Sequence, residues 1–124
     1  MTDHLPLGSH LNYRQGVLHL EQANLSELAR THGTPLFVYS KAAMLDALAA
    51  YQRGLAHRPS RIHYAMKANS SLAIVQLFAQ AGCGFDIVSG GELTRVLAAG
   101  GDPAQVIFSG VGKTRAEMRQ ALKA

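Results

Sequence analysis

"IHYAMKANSSLAIVQLFAQAGCGFDIVSGGEL", residues 62–93, reads as a strand, a helix, a second strand and the start of a second helix. "IHYAM" has the apolar and aromatic content of a short buried strand. It runs into Lys67, a small residue, an asparagine and two serines, after which a helix spans about Ser71 to Ala81. "FDIV" is the next strand, and the helix after it contains Leu93, Val96 and Leu97. The same rhythm extends in both directions. "LFVY", residues 36–39, reads as an earlier strand, followed from about Ser40 by a helix with Met44, Leu48, Tyr51 and Leu55 on one face. "VIFS" is a later strand, and Thr114 opens a helix with Met118 and Leu122 on one side. Strand starts at Leu36, Ile62, Phe85 and Val106 are 26, 23 and 21 residues apart. Such repeated strand–helix units imply parallel strands joined by right-handed crossovers.

Two α/β architectures accept about four such units: an open doubly wound sheet and a (β/α) barrel. The first strand–helix turn, "YSKAA", has no glycine, which argues against a dinucleotide-binding sheet. A barrel of the TIM type needs eight strands and roughly 250 residues, so this chain would supply about half of one. The pattern also stops inside a helix, at "ALKA", and the expectation is a truncated first half of a barrel over residues 34–124. Alone it would expose ladder edges and be poorly soluble or oligomeric. Residues 1–33 form a separate lead-in: "LNYRQGVLHL" alternates around Gln15 and Gly16 as a hairpin, and "NLSELARTHG" reads as a helix capped by Asn24 and stopped by Gly33.

Composition narrows the function classes. Of 124 residues, 48% are hydrophobic and 16% charged, which excludes a disordered chain. The net charge of +4 comes from scattered Lys and Arg, with no basic stripe and no Trp, so a nucleic-acid surface is not expected. A mild positive excess suits an anionic small molecule equally well. Cys83 is the only cysteine, leaving no disulfide framework and no thiolate metal site. The six histidines include no i, i+4 pair, so no metal is expected. The start lacks the apolar core of a signal peptide, and the longest apolar stretch is too short to cross a bilayer, pointing to a soluble cytoplasmic protein.

In parallel α/β folds functional groups gather at the C-terminal ends of strands. Here those ends read Tyr39-Ser40, Lys67-Ala68-Asn69, Asp86 to Ser89, and Ser109-Gly110. Neighbouring strands lie about 4.8 Å apart, so a lysine leaving one and an aspartate near the tip of the next can share a pocket. Desolvation there disfavours the ammonium form and makes the amine nucleophilic. Schiff-base chemistry needs such a neutral amine facing a carbonyl.

These residues carry a family resemblance. "YAMKAN" resembles the pyridoxal-phosphate lysine motif of the decarboxylases with the alanine-racemase fold (fold type III). "GFDIVSGGEL", with "TPLFVYS" upstream and "VIFSGVGKT" downstream, is similar to the diaminopimelate decarboxylase family in order and spacing, over roughly Thr34 to Ala121. The resemblance implies a pyridoxal-phosphate barrel whose Lys67 forms the Schiff base with the cofactor and then serves in proton transfer at the carbon that loses carbon dioxide. It implies cofactor-site acids at Asp86 and Glu92, giving Lys67 and the cofactor electrostatic support. It further implies a meso-diaminopimelate substrate, a place in lysine biosynthesis and a homodimeric parent. The family's phosphate cup, ring-stacking histidine and substrate arginines have no counterpart in these 124 residues, so the chain by itself is expected to be inactive. Met66 departs from the smaller aliphatic residue of the family motif and is expected to alter packing rather than chemistry. Alternatives are another basic-amino-acid decarboxylase or a racemase of the same barrel, or an inactive remnant.

Plainer readings compete at each position. A lysine at a strand end can simply snorkel to water. Ser89-Gly90-Gly91-Glu92 fits a capping box, which would occupy Ser89 and Glu92 without any ligand. Asp86 is less easily dismissed, because aspartate is a poor strand former. "SGVGKT" is not a phosphate-binding P-loop, since Ile107 stands where that pattern needs a glycine; Thr114 to Glu117 is another capping box. His63 reads as a half-buried or surface residue, and Cys83 has no neighbouring base to activate it.

Overall fold

The computed structural model describes residues 10–124. They pack as two units, the first ending at His57 and the second spanning Arg58–Ala124.

In the first unit β1 (Leu11–Arg14), β2 (Val17–Leu20) and β3 (Ala23–Asn24) form an antiparallel sheet in that order. Gln15 and Gly16 both have positive φ, 50° and 79°, as a two-residue hairpin turn requires, and the expected hairpin is present. Helix α1 (Leu25–His32) starts where the Asn24 side chain accepts the Ser26 and Glu27 amides at 2.9 and 3.1 Å, and it ends at Gly33. Helix α2 (Lys41–Leu55) is capped twice. The Ser40 hydroxyl accepts the Ala43 amide and donates to Glu21 at 2.5 Å, while Glu21 also accepts the Ala42 amide. These bonds, Ser40 first, hold the Glu21 carboxyl below the usual carboxylate range. Along the expected apolar face Leu48 is buried, Met44 and Leu55 are half-buried, and Tyr51 is exposed. Periodicity selects the face of a helix, not how far along it cover extends.

Residues 36–39 depart from expectation. They make no ladder among the described residues, and their side chains lie open, Phe37 at 82% exposure. Apolar, aromatic composition favours a strand, but only a partner makes one.

The second unit holds β4 (His63–Ala65), α3 (Leu72–Gln80), β5 (Gly84–Ile87), α4 (Gly90–Ala98), β6 (Val106–Phe108) and α5 (Arg115–Lys123). Its three strands are parallel in the order β4-β5-β6, so three strand–helix units are assembled where four were expected. Tyr64, Phe85 and Val106 form one cross-strand row, and Ala65, Asp86 and Ile107 the next. Successive residues of a strand point to opposite faces. Phe85 and Ile87 therefore share the helix side, where with Met66, Val75, Leu93 and Val96 they form the buried core. Tyr64 stacks on Phe78 with ring centroids 4.5 Å apart and meets Phe85 edge-on. Ala65 and Ile107, in the Asp86 row, are exposed on the other face. Met66 is core packing, as its departure from the family motif suggests.

The helix starts follow the capping patterns. Ser89 accepts the Glu92 amide at 3.2 Å, and Thr114 with Glu117 forms a complete capping box. Glu117 does more: Oε2 accepts from Thr114 while Oε1 accepts the Gly90 amide at 3.0 Å, so one carboxylate joins the first turns of α4 and α5. The Gly90 bond leads the causes that hold the Glu117 carboxyl below the usual carboxylate range. With Glu117 turned inward, Ala121 one turn later packs on the core. Met118 and Leu122, expected to face inward, are exposed instead, Leu122 at 88%. On α4, Leu93 and Val96 are buried while Leu97 is exposed. Cys83 is buried, and desolvation pushes its thiol up. No helix among the described residues is long and apolar enough to cross a membrane.

Two substitutions test this packing. Phe85→Ala empties a fully buried site and is expected to destabilise the protein by about 3–5 kcal/mol in urea titration. Thr114→Ala removes the α5 cap and is expected to cost about 1 kcal/mol.

Candidate functional site

Lys67 follows β4 by two residues, and the Met66 amide donates to the Asp86 carbonyl at 3.3 Å, continuing the β4–β5 pairing past the end of β4. Met66 points to the core, so alternation sends Lys67 to the opposite face, the one Asp86 occupies. By the same parity Ser109, one residue beyond Phe108, emerges on that face from β6. The central strand thus carries an acid flanked diagonally by a lysine and a hydroxyl.

Contacts follow this geometry. Lys67 Nζ donates to Asp86 Oδ2 at 3.0 Å, and the Ser109 hydroxyl makes a short bond to Asp86 Oδ1. The Ser109 bond and then the Lys67 contact hold the Asp86 carboxyl below its usual range. The Asp86 side chain is 27% exposed and that of Lys67 51%. Lys67 and Asp86 thus form an ion pair on the sheet face opposite the helices. Asp86 lies within β5 rather than in a turn at its end. A poor strand former is held in mid-ladder, with both carboxylate oxygens satisfied.

The loop after Lys67 is tied down. Tyr64 donates its hydroxyl to the Asn69 carbonyl at 2.9 Å, the Asn69 side chain accepts the Ser71 amide, and Arg95 donates to the Ser70 carbonyl. Glu92, the third expected site residue, has one carboxylate oxygen on the Val88 amide at 2.7 Å. It fixes the chain just past β5, as a capping acid would. Lys113 donates to the Gly110 carbonyl at 2.8 Å and lies over the Phe108 ring, so the "SGVGKT" segment is a helix start with an internally bonded lysine. His63 is half-buried. Ser109 was legible only as one of several polar residues at strand ends; without the register, nothing marked it above Ser40 or Ser89.

Residues 41–124 match the family model described as pyridoxal-dependent decarboxylase, pyridoxal binding domain. The chain belongs to this family. The diaminopimelate decarboxylase of Vibrio cholerae is 52% identical over 115 residues, which are 92% of this chain and 28% of that protein. The crystal structure of diaminopimelate decarboxylase from M. jannaschii in complex with L-lysine superposes with a TM-score of 0.86 at 30% identity, covering 93% of this chain and 28% of that one. Lysine decarboxylase from Selenomonas ruminantium gives 0.74 at 28% identity, over 90% and 28%. The chain spans 28% of the length of each of these relatives. The three parallel units are accordingly part of a TIM-like barrel.

Lys67 and Asp86 fit the carbonyl end of pyridoxal phosphate. A primary amine at the strand ends can bond to an aldehyde carbon, and a carboxylate at 3.0 Å can balance positive charge left on that nitrogen.

The depressed Asp86 carboxyl has a direction in pH. Its contribution to stability is complete above the unfolded value of about 3.9 and is lost as pH falls through the lower folded value. Denaturation midpoints of the native protein and Asp86→Asn measured against pH are expected to differ near neutrality and to converge in acid.

Proposed function

We propose that this chain carries the cofactor-anchoring lysine, Lys67, of a pyridoxal-phosphate-dependent decarboxylase that acts on meso-diaminopimelate and forms lysine. The observation that carries the reading is the Lys67–Asp86 pair at the ends of adjacent parallel strands in a chain of the pyridoxal-dependent decarboxylase family. The substrate assignment rests on the 52% identity to a diaminopimelate decarboxylase and on the relative crystallised with L-lysine, the amino acid that remains when diaminopimelate loses one carboxyl group. When bound, pyridoxal phosphate supplies an electron sink for the carbon that loses carbon dioxide.

Lys67 must shed a proton before its nitrogen can bond the cofactor. Asp86, its carboxyl held below the usual carboxylate range, is a weak base and a poor acceptor for that proton. What Asp86 contributes is a fixed negative charge beside Nζ, which stabilises positive charge on that nitrogen whether it is an ammonium or covalently engaged. With substrate bound, the Lys67 nitrogen would be free to take up a proton and, as an ammonium, would deliver it to the carbon that has lost carbon dioxide. Glu92 acts at one remove, holding Val88 and the turn into α4. The protein containing this chain works as a cytoplasmic homodimer on a small amino acid, with neither nucleic acid nor membrane as partner, as the family resemblance implies. The likeness to a lysine decarboxylase favours a second reading, decarboxylation of another basic amino acid on the same lysine.

Borohydride reduction of the full-length protein with pyridoxal phosphate, followed by peptide mass mapping, is expected to label Lys67; label on any other lysine instead would defeat the assignment. Carbon dioxide release from meso-diaminopimelate and not from lysine separates the two substrates.

A further inference from the structure

We propose that Ser109 is a positioning residue for the cofactor lysine, its hydroxyl holding one oxygen of Asp86 so that the other is aimed at Lys67. The inference rests on the reading of Lys67 given above and extends it to a residue on a third strand.

A carboxylate on a strand can rotate, and either oxygen can then meet a cation. Here the rotation is stopped from one side. Oδ1 takes the Ser109 hydroxyl in a short, charge-assisted bond, and Oδ2 is left 3.0 Å from Nζ. The Ser109 hydroxyl has a single proton. Its other acceptor, the Ile87 carbonyl, lies at 3.4 Å, so the proton is committed to Asp86. The backbone that presents Ser109 is itself fixed. Lys113 bonds the Gly110 carbonyl at 2.8 Å and approaches that of Ser109, while Gly110 adopts a positive φ of 81°. A Cβ at Gly110 would lie 3.2 Å from Val88, so the turn rests against the neighbouring strand. Ser109 is thus presented by a braced turn.

The side chains acting on Asp86 are Lys67 and His63 from the β4 side and the Ser109 hydroxyl from the β6 side. Of these Ser109 has the largest effect on the Asp86 carboxyl, followed by Lys67. Removing it would return Asp86 towards the ordinary carboxylate range and free its side chain to turn away from Nζ.

The test uses the full-length protein with Ser109→Ala and Ser109→Thr. Carboxyl-carbon NMR of Asp86 in the cofactor-free protein is expected to show a higher titration midpoint in Ser109→Ala and a native-like one in Ser109→Thr, which keeps the hydroxyl. The pH profile of the bound cofactor's visible absorbance is expected to move in Ser109→Ala, because the charge beside its nitrogen is no longer held in place. Borohydride labelling of Lys67 is expected in all three proteins. An unchanged Asp86 midpoint and an unchanged absorbance profile in Ser109→Ala, with Lys67 still labelled, would overturn the positioning role and leave the decarboxylase reading intact. Failure to label Lys67 in the native protein would overturn that reading instead, while the Asp86 midpoint would still report on the Ser109 contact.

Discussion

The in-register pairing of three short parallel strands governs everything else in the second unit. Because β5 is paired on both sides, each of its residues has a neighbour on β4 and on β6, and side-chain direction alternates in step across all three. Phe85 and Ile87 are committed to the helix side, where they are fully buried. Asp86, between them, has no choice but the opposite face. A one-residue slip of either outer strand would send Lys67 or Ser109 into the helix layer and leave Asp86 without that partner. The apolar core and the polar triad are therefore enforced by one register.

Helix geometry follows from a second constraint, the satisfaction of helix N-termini. Glu117 serves Thr114 at the start of its own helix and Gly90 at the start of the preceding one. An amphipathic reading of α5 picks Met118 and Leu122 as the inward stripe, yet within this chain Glu117 and Ala121 face the neighbour. Unsatisfied amides at a crowded helix start are costly, and here a charged acceptor lies within reach. Glu92 behaves alike on the Val88 amide, and Glu21 on α2. Each of these three carboxylates accepts a backbone amide, whereas both oxygens of the Asp86 carboxylate are held by side chains.

The electrostatic picture of Lys67 rests on a specific partner. Lys67 is paired with Asp86, and this counter-charge is braced from the far side by a hydroxyl. That arrangement orients the amine.

Residue order alone was enough for the strand–helix alternation from residue 62 onward, the Gln15–Gly16 hairpin, the cap residues Asn24, Ser89 and Thr114, and the nomination of Lys67 and Asp86, because these depend on local periodicity, local hydrogen bonding and a short motif. Residues 36–39, read as a strand, make no ladder among the described residues, and Met118 and Leu122, read as the inward stripe of α5, are exposed in a chain that spans 28% of the length of its relatives. Both differences have the same cause: composition records what a segment would bury, not what lies beside it. Ser109 was set apart by no local signal, since its significance is a contact spanning 23 residues of chain. Only the tertiary structure could supply it, because register between strands is settled by packing of the whole sheet against its helices, and that information is not carried by any one segment.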